Sequence, residues 1–189
     1  MDKTFNKDNF KKLTRMIRIT LQCFYWVSIV CGVLCLIGFI ALQFIPEIYL
    51  VSSDNVGFTL SLDGLIRYDA GDQAVNLDGV YQSIAFMAAL LSTGLAVFLK
   101  QLYTLLKTVE GDTPFTMENT KRLKIMGSSL LLYAFIAPGA GFIVASSMVH
   151  AFAVDRISVV YSVNINLLFS GFVLMILAGI FQYGSFLQS

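Results

Sequence analysis

Four apolar segments, each long enough to cross a bilayer, constrain this chain more than anything else in it. A helix needs roughly 20 apolar residues to span the hydrocarbon core, and such runs lie at 19–45, 83–106, 125–150 and 163–183. None holds Lys, Arg, Asp or Glu near its centre; Lys100, in the last third of the second run, can snorkel to an interface. Backbone polar groups inside a bilayer find no water, so spanning segments of this length are helices. Composition agrees, with 57% of the residues hydrophobic and 13% charged, about half the usual charged share of soluble domains. The expected fold is an all-α membrane protein with four transmembrane helices in a bundle.

The charges are sorted by side. Lys3, Lys7, Lys11, Lys12, Arg15 and Arg18 precede the first run, and Lys100, Lys107, Lys121, Arg122 and Lys124 surround the link between the second and third. Only Arg67 and Arg156 fall in the other two links. Cytoplasmic loops carry this excess of positive charge. The chain is therefore expected to be a multi-pass membrane protein with both termini in the cytoplasm. The organisation expected is a basic amphipathic N-terminus (1–18) followed by one four-span domain (19–189), with an outer loop at 46–82 and an inner loop at 107–124. A signal peptide fits poorly, because the first apolar run exceeds the usual 7–15 residues and no small-residue cleavage site follows.

Polar-tipped aromatics support these boundaries. Tyr25, Trp26, Tyr103 and Tyr183 fall toward the inner interface, and Tyr49, Tyr81 and Tyr161 toward the outer one. Tyr133, deep in the third span, should face a neighbouring helix where its hydroxyl finds a partner. Small residues at Ala85, Ala89 and Thr93, and at Ala137, Gly141 and Ala145, recur every four positions and suggest close helix contacts, within one chain or in a homodimer. Pro138-Gly139 should kink or locally unwind the third span.

The outer loop holds Glu47, Asp54, Asp63, Asp69, Asp72 and Asp78 against the single Arg67. Alternation around Phe58, Leu60 and Leu62, with turn residues at Asp63-Gly64, suggests a small extracytoplasmic β-hairpin or meander packed on the helix ends, between helices 1 and 2. Its carboxylates lack the spacing of a calcium loop. No metal site or cofactor is expected: His150 is the only histidine, and Cys31 and Cys35, one turn apart, have no nearby His, Asp or Glu. The three cysteines read as small apolar packing residues.

The inner loop is the most specific stretch. Gly111 can end the second span in a left-handed cap. Asp112-Thr113-Pro114 makes a rigid turn, and Thr116 is a suitable N-cap for a helix starting at Met117, with Glu118 favourable at its positive end. Local physics accounts for a well-made connector but gives no reason for Phe115.

The pattern Gly111-x-x-Pro114-Phe115-x-x-Glu118-Asn119-x-x-Arg122-Leu123, set between spans two and three, resembles that of a bacterial family of small four-span membrane proteins of unknown function. Members of that family are often encoded beside a very small Xre-type helix-turn-helix regulator. The resemblance implies a membrane partner for such a regulator, sequestering or inhibiting it. It implies no catalytic residue; Gly111, Pro114, Phe115, Glu118, Asn119 and Arg122 become the candidate partner-binding positions.

An enzyme needs groups that act as acid, base, nucleophile or metal ligand, and a coupled transporter places ionisable residues within its bundle. The spans supply neither. The expectation is a non-enzymatic membrane protein that holds a cytoplasmic helix-turn-helix regulator in response to a membrane or extracellular signal, without binding nucleic acid directly. The alternative is an immunity protein against a peptide toxin, or an accessory subunit of an exporter.

Overall fold

The computed structural model describes residues 7–44, 57–60, 66–69, 77–111, 116–152 and 158–188. Four helices dominate: α1 (Lys7–Phe44), α2 (Asp78–Glu110), α3 (Met117–Ala151) and α4 (Ile165–Gln188). All four are long and apolar enough to cross a membrane, and the chain is a multi-pass membrane protein. The basic residues of 7–18 and the first apolar run form one unbroken helix as far as Phe44; the stop expected at Pro46 lies outside the described residues.

Each helix packs, among the described residues, only on its neighbours in sequence: α1 on α2, α2 on α3, and α3 on α4. Among the described residues α1 touches neither α3 nor α4, so the four helices are arranged as an open row. The physical reason is the solvent. Apolar side chains gain little by leaving lipid tails for one another, so no general force closes the ring, and contact forms where small residues or polar bonds allow it.

Three such places are clear. On the α1–α2 face, a Cβ added at Gly32 would lie 3.2 Å from the Ser92 side chain, and Ser28 donates to the Ser92 carbonyl at 2.8 Å. Between α2 and α3, the Tyr133 hydroxyl donates to the carbonyls of Leu90, at 3.1 Å, and Leu91. Gly94 makes room for it, since a Cβ there would overlap the Tyr133 ring. Between α3 and α4, Gly127 and Gly171 let the backbones close, with Met175 and Leu131 filling the space a Cβ would need. Gly141, expected to line a packing row, instead faces open space, while Ala89 of the α2 row is buried.

Pro138 does not unwind α3, which stays helical from Met117 to Ala151. Proline has no N–H to give to the carbonyl four residues earlier, which is that of Ala134. That carbonyl accepts from the backbone N–H of Asn164 at 3.0 Å, and the adjacent Phe135 carbonyl accepts from the Tyr161 hydroxyl at 3.1 Å. Asn164 then caps α4, its side-chain oxygen accepting from the Leu167 N–H at 3.1 Å. The segment before α4 is thus seated on the middle of α3, at the carbonyl that the proline leaves open and the one beside it.

The link between α1 and α2 contains β1 (Gly57–Leu60) and β2 (Ile66–Asp69), paired antiparallel with Gly57 opposite Asp69 and Leu60 opposite Ile66. Neither strand touches a helix among the described residues. The expected extracytoplasmic hairpin packed on the helix ends is therefore not supported, nor is a meander. An isolated pair of four-residue strands has too little apolar surface to stand as a stable unit.

Candidate functional site

The basic residues of α1, the end of α2 and the start of α3 gather at one end of the row, and there every adjacent pair of helices is tied by a polar bond. Two arginines of α1 converge on one carboxylate at the end of α2: Arg15 Nε donates to Glu110 Oε1 at 3.3 Å and Arg18 Nε to Oε2 at 2.8 Å. A carboxylate is unfavourable at a helix C-terminus, so the two guanidinium groups offset a charge that α2 alone would bear badly. Lys124 Nζ of α3 donates to Gln182 Oε1 of α4 at 3.1 Å. Just inward of the α1–α2 link, the Tyr25 and Tyr103 rings pack 5.5 Å apart, with Trp26 at 5.4 Å from Tyr25, an aromatic layer at the level expected for an interface.

The joint between α2 and α3 is the most elaborate. Thr116, extended at φ −118° and ψ 152°, caps α3, and its hydroxyl accepts from the Asn119 N–H at 3.2 Å. Asn119 is completely buried. Its Nδ2 donates to the Thr108 hydroxyl at 2.6 Å, and Thr108 in turn donates to the Leu105 carbonyl at 2.7 Å. Its Oδ1 accepts from Arg122 at 2.9 Å, and the other arm of Arg122 pairs with Glu118. One carboxamide thus joins the last turn of α2, the cap of α3 and a largely buried arginine. Thr120, also buried, bonds back to the Thr116 carbonyl at 3.4 Å.

The six candidate positions separate accordingly. Asn119 and Arg122 are brought together inside the joint, so they position the connector and do not offer a surface. Glu118 and Gly111 are exposed beside them. Gly111 ends α2 at φ −80° and ψ 8°, so the left-handed cap expected there is not used; its N–H simply continues the ladder to the Lys107 carbonyl at 3.3 Å. Pro114 and Phe115 lie outside the described residues. Thr108, which the sequence reading passed over, is the missing partner; its place in the last turn of α2, eleven positions before Asn119, is its only signal. Lys12, Lys107, Lys121 and Lys124 are exposed around this rim.

At the opposite end a cavity of about 450 Å³ opens between the start of α2 and the end of α3, lined by Asp78, Ser147 and His150 among others. Among the described residues no group of three or more His, Cys, Asp or Glu side chains could hold a metal ion. None of the curated proteins and none of the solved structures matches this chain. Residues 69–189, which take in α2, α3, α4 and the whole polar joint, match the family described as "protein of unknown function (DUF2975)". On that match, which covers well over half of its length, the chain belongs to the DUF2975 family of proteins of unknown function.

Proposed function

We propose that this protein is a non-catalytic membrane anchor whose basic end holds a small cytoplasmic helix-turn-helix transcription regulator. A signal arriving in the membrane or outside it would loosen that hold. The observation that carries the reading is the joint around Asn119. It ties the last turn of α2 to the first turns of α3, and the exposed residues Glu118 and Gly111 flank the segment containing Phe115. A connector that merely reversed the chain would not need a completely buried carboxamide with partners on both helices, because a buried polar group is costly unless every bond is made. The resemblance of the Gly111–Leu123 pattern to that of proteins encoded beside such regulators supplies the class of partner. The inward orientation of this end rests on its excess of Lys and Arg.

The test is a gentle-detergent pull-down of the tagged protein from its native membranes, with co-purifying proteins identified. A small helix-turn-helix protein should be recovered and lost on Phe115→Ala, with transcription of its targets changed while the membrane level of the variant is not. Recovery of an exporter ATPase, or of no cytoplasmic partner, would overturn the proposal and favour the accessory or immunity reading.

A further inference from the structure

The last crossing of the bilayer is helical for only part of its depth. Ala134 is the central residue of α3, and the backbone N–H of Asn164, just ahead of α4, donates to its carbonyl at 3.0 Å. Lys124 stands ten positions earlier in the same helix, about 15 Å away at ~1.5 Å per residue. No Lys, Arg, Asp or Glu follows it in α3. On α2 the same level falls at Leu91, whose carbonyl accepts from the Tyr133 hydroxyl, nine positions before Lys100 and thirteen after Asp78. Charged side chains are kept out of hydrocarbon, and the hydrocarbon is about 30 Å thick. Asn164 therefore sits near the middle of the bilayer. From there α4 runs toward the basic end, with Gly171 on Leu131, Met175 on Gly127 and Gln182 on Lys124.

The other half of that crossing belongs to residues 158–164, which are neither helix nor strand. Seven extended residues reach about 23 Å at ~3.3 Å each, enough to lead from the bilayer surface to its middle. Tyr161 marks the path: its hydroxyl donates to the Phe135 carbonyl at 3.1 Å, and its ring lies 3.8 Å from where a Cβ of Gly139 would stand. Farther along α3, a Cβ added at Gly141 would meet nothing within 4 Å. Among the described residues no backbone N–H or C=O of 158–163 has a backbone partner. Protein does not bury the segment either, since Ser158, Val160, Tyr161 and Ser162 are exposed, Val160 by 80%. Non-helical backbone persists at membrane depth only where protein buries it or water reaches it. Exposure removes the first possibility and leaves the second.

We propose that residues 158–164 and the adjoining half of α3 line a water-filled recess, which opens at the end opposite the basic rim and reaches the level of Ala134. Asn164 lies at its floor, held by the carbonyl that Pro138 leaves open. Water in the recess satisfies the backbone groups that lipid would strand, so the final crossing needs only half a bilayer of helix beside α3. Polar solutes on that side gain access to the middle of the membrane. The recess does not depend on any regulator held at the basic end.

Water accessibility in lipid nanodiscs, where both faces of the bilayer are open to reagent and orientation does not matter, tests the recess. In a background of Cys23→Ser, Cys31→Ser and Cys35→Ser, single cysteines are placed in the segment (Val160→Cys, Ser162→Cys) and at exposed helical positions near the level of Ala134 (Leu90→Cys, Leu132→Cys). A charged, membrane-impermeant maleimide should modify the two segment variants at least tenfold faster than the two helical ones. In the unmodified protein, the amides of 159–163 should exchange with heavy water within seconds, while those of 128–133 in α3 stay protected. Modification of Ser162→Cys no faster than that of Leu132→Cys would overturn the proposal. So would rapid modification of all four variants, which would put this level outside the hydrocarbon, or protection of the 159–163 amides in the unmodified chain.

Discussion

At the scale of single residues, Asn119 is the position where most depends on one side chain. Its carboxamide gives one bond to Thr108 and takes one from Arg122. Truncation to alanine leaves the buried Arg122 arm without its acceptor. Such losses cost about 1–3 kcal/mol for each unsatisfied buried group. Asn119→Ala should therefore lower stability in detergent by roughly that amount, read as an earlier thermal or SDS-induced unfolding transition, while an unchanged midpoint would show that the network contributes nothing. Asn119→Asp should recover part of the loss, because it keeps the bond from Arg122 and cannot donate to Thr108. The sequence marks Asn119 only as part of a pattern. Its burial was not legible, because the partner that explains it, Thr108, lies across a turn on another helix and has an ordinary local environment. The cap was legible: Thr116 followed three residues later by a residue whose N–H it satisfies is a local arrangement. Gly94 was not, since nothing near it in the chain announces the Tyr133 ring.

At the scale of elements, hydropathy located the spans and proline located the ends less well. Pro46, expected to end the first span, lies outside the described residues, and Pro138 sits within α3 without breaking it. What the sequence could not show is the use made of that proline, because it requires the backbone of Asn164, thirty residues away from Ala134 in the chain. If the open carbonyl of Ala134 is what seats α4, then Pro138→Ala should restore the N–H that competes for it. Amide exchange at Asn164 in lipid nanodiscs should then speed up, while exchange of the α3 amides at 139–142 slows and total helix content is unchanged. Unaltered exchange at Asn164 would show that α4 is held by its packing on Gly127 and Leu131 alone. The β-pair illustrates the opposite case. Alternation and turn residues suggested a packed hairpin, but pairing between two short strands does not by itself bring them onto the helices.

At the scale of the whole molecule, the bonds between side chains of different helices collect, among the described residues, at one end of an open row: Arg15 and Arg18 with Glu110, Asn119 with Thr108, and Lys124 with Gln182. The rest of each interface is shaped mostly by small residues and by hydroxyls bonded to backbone carbonyls. Helices held in this way are most firmly located where the charges are, which suits the partner-holding role proposed for that end. The number of spans and the sorting of charge were legible because they are properties of single segments. The openness of the row was not, since a bundle and a row have the same hydropathy.

Everything proposed for the basic end depends on its facing the cytoplasm, and labelling with a membrane-impermeant maleimide measures that directly. In a cysteine-free background, Glu118→Cys should stay unlabelled in intact spheroplasts and react after permeabilisation, while His150→Cys, at the opposite end of α3, should react in both. Labelling of Glu118→Cys in intact spheroplasts would contradict the account, because a connector on the outside cannot hold a cytoplasmic regulator.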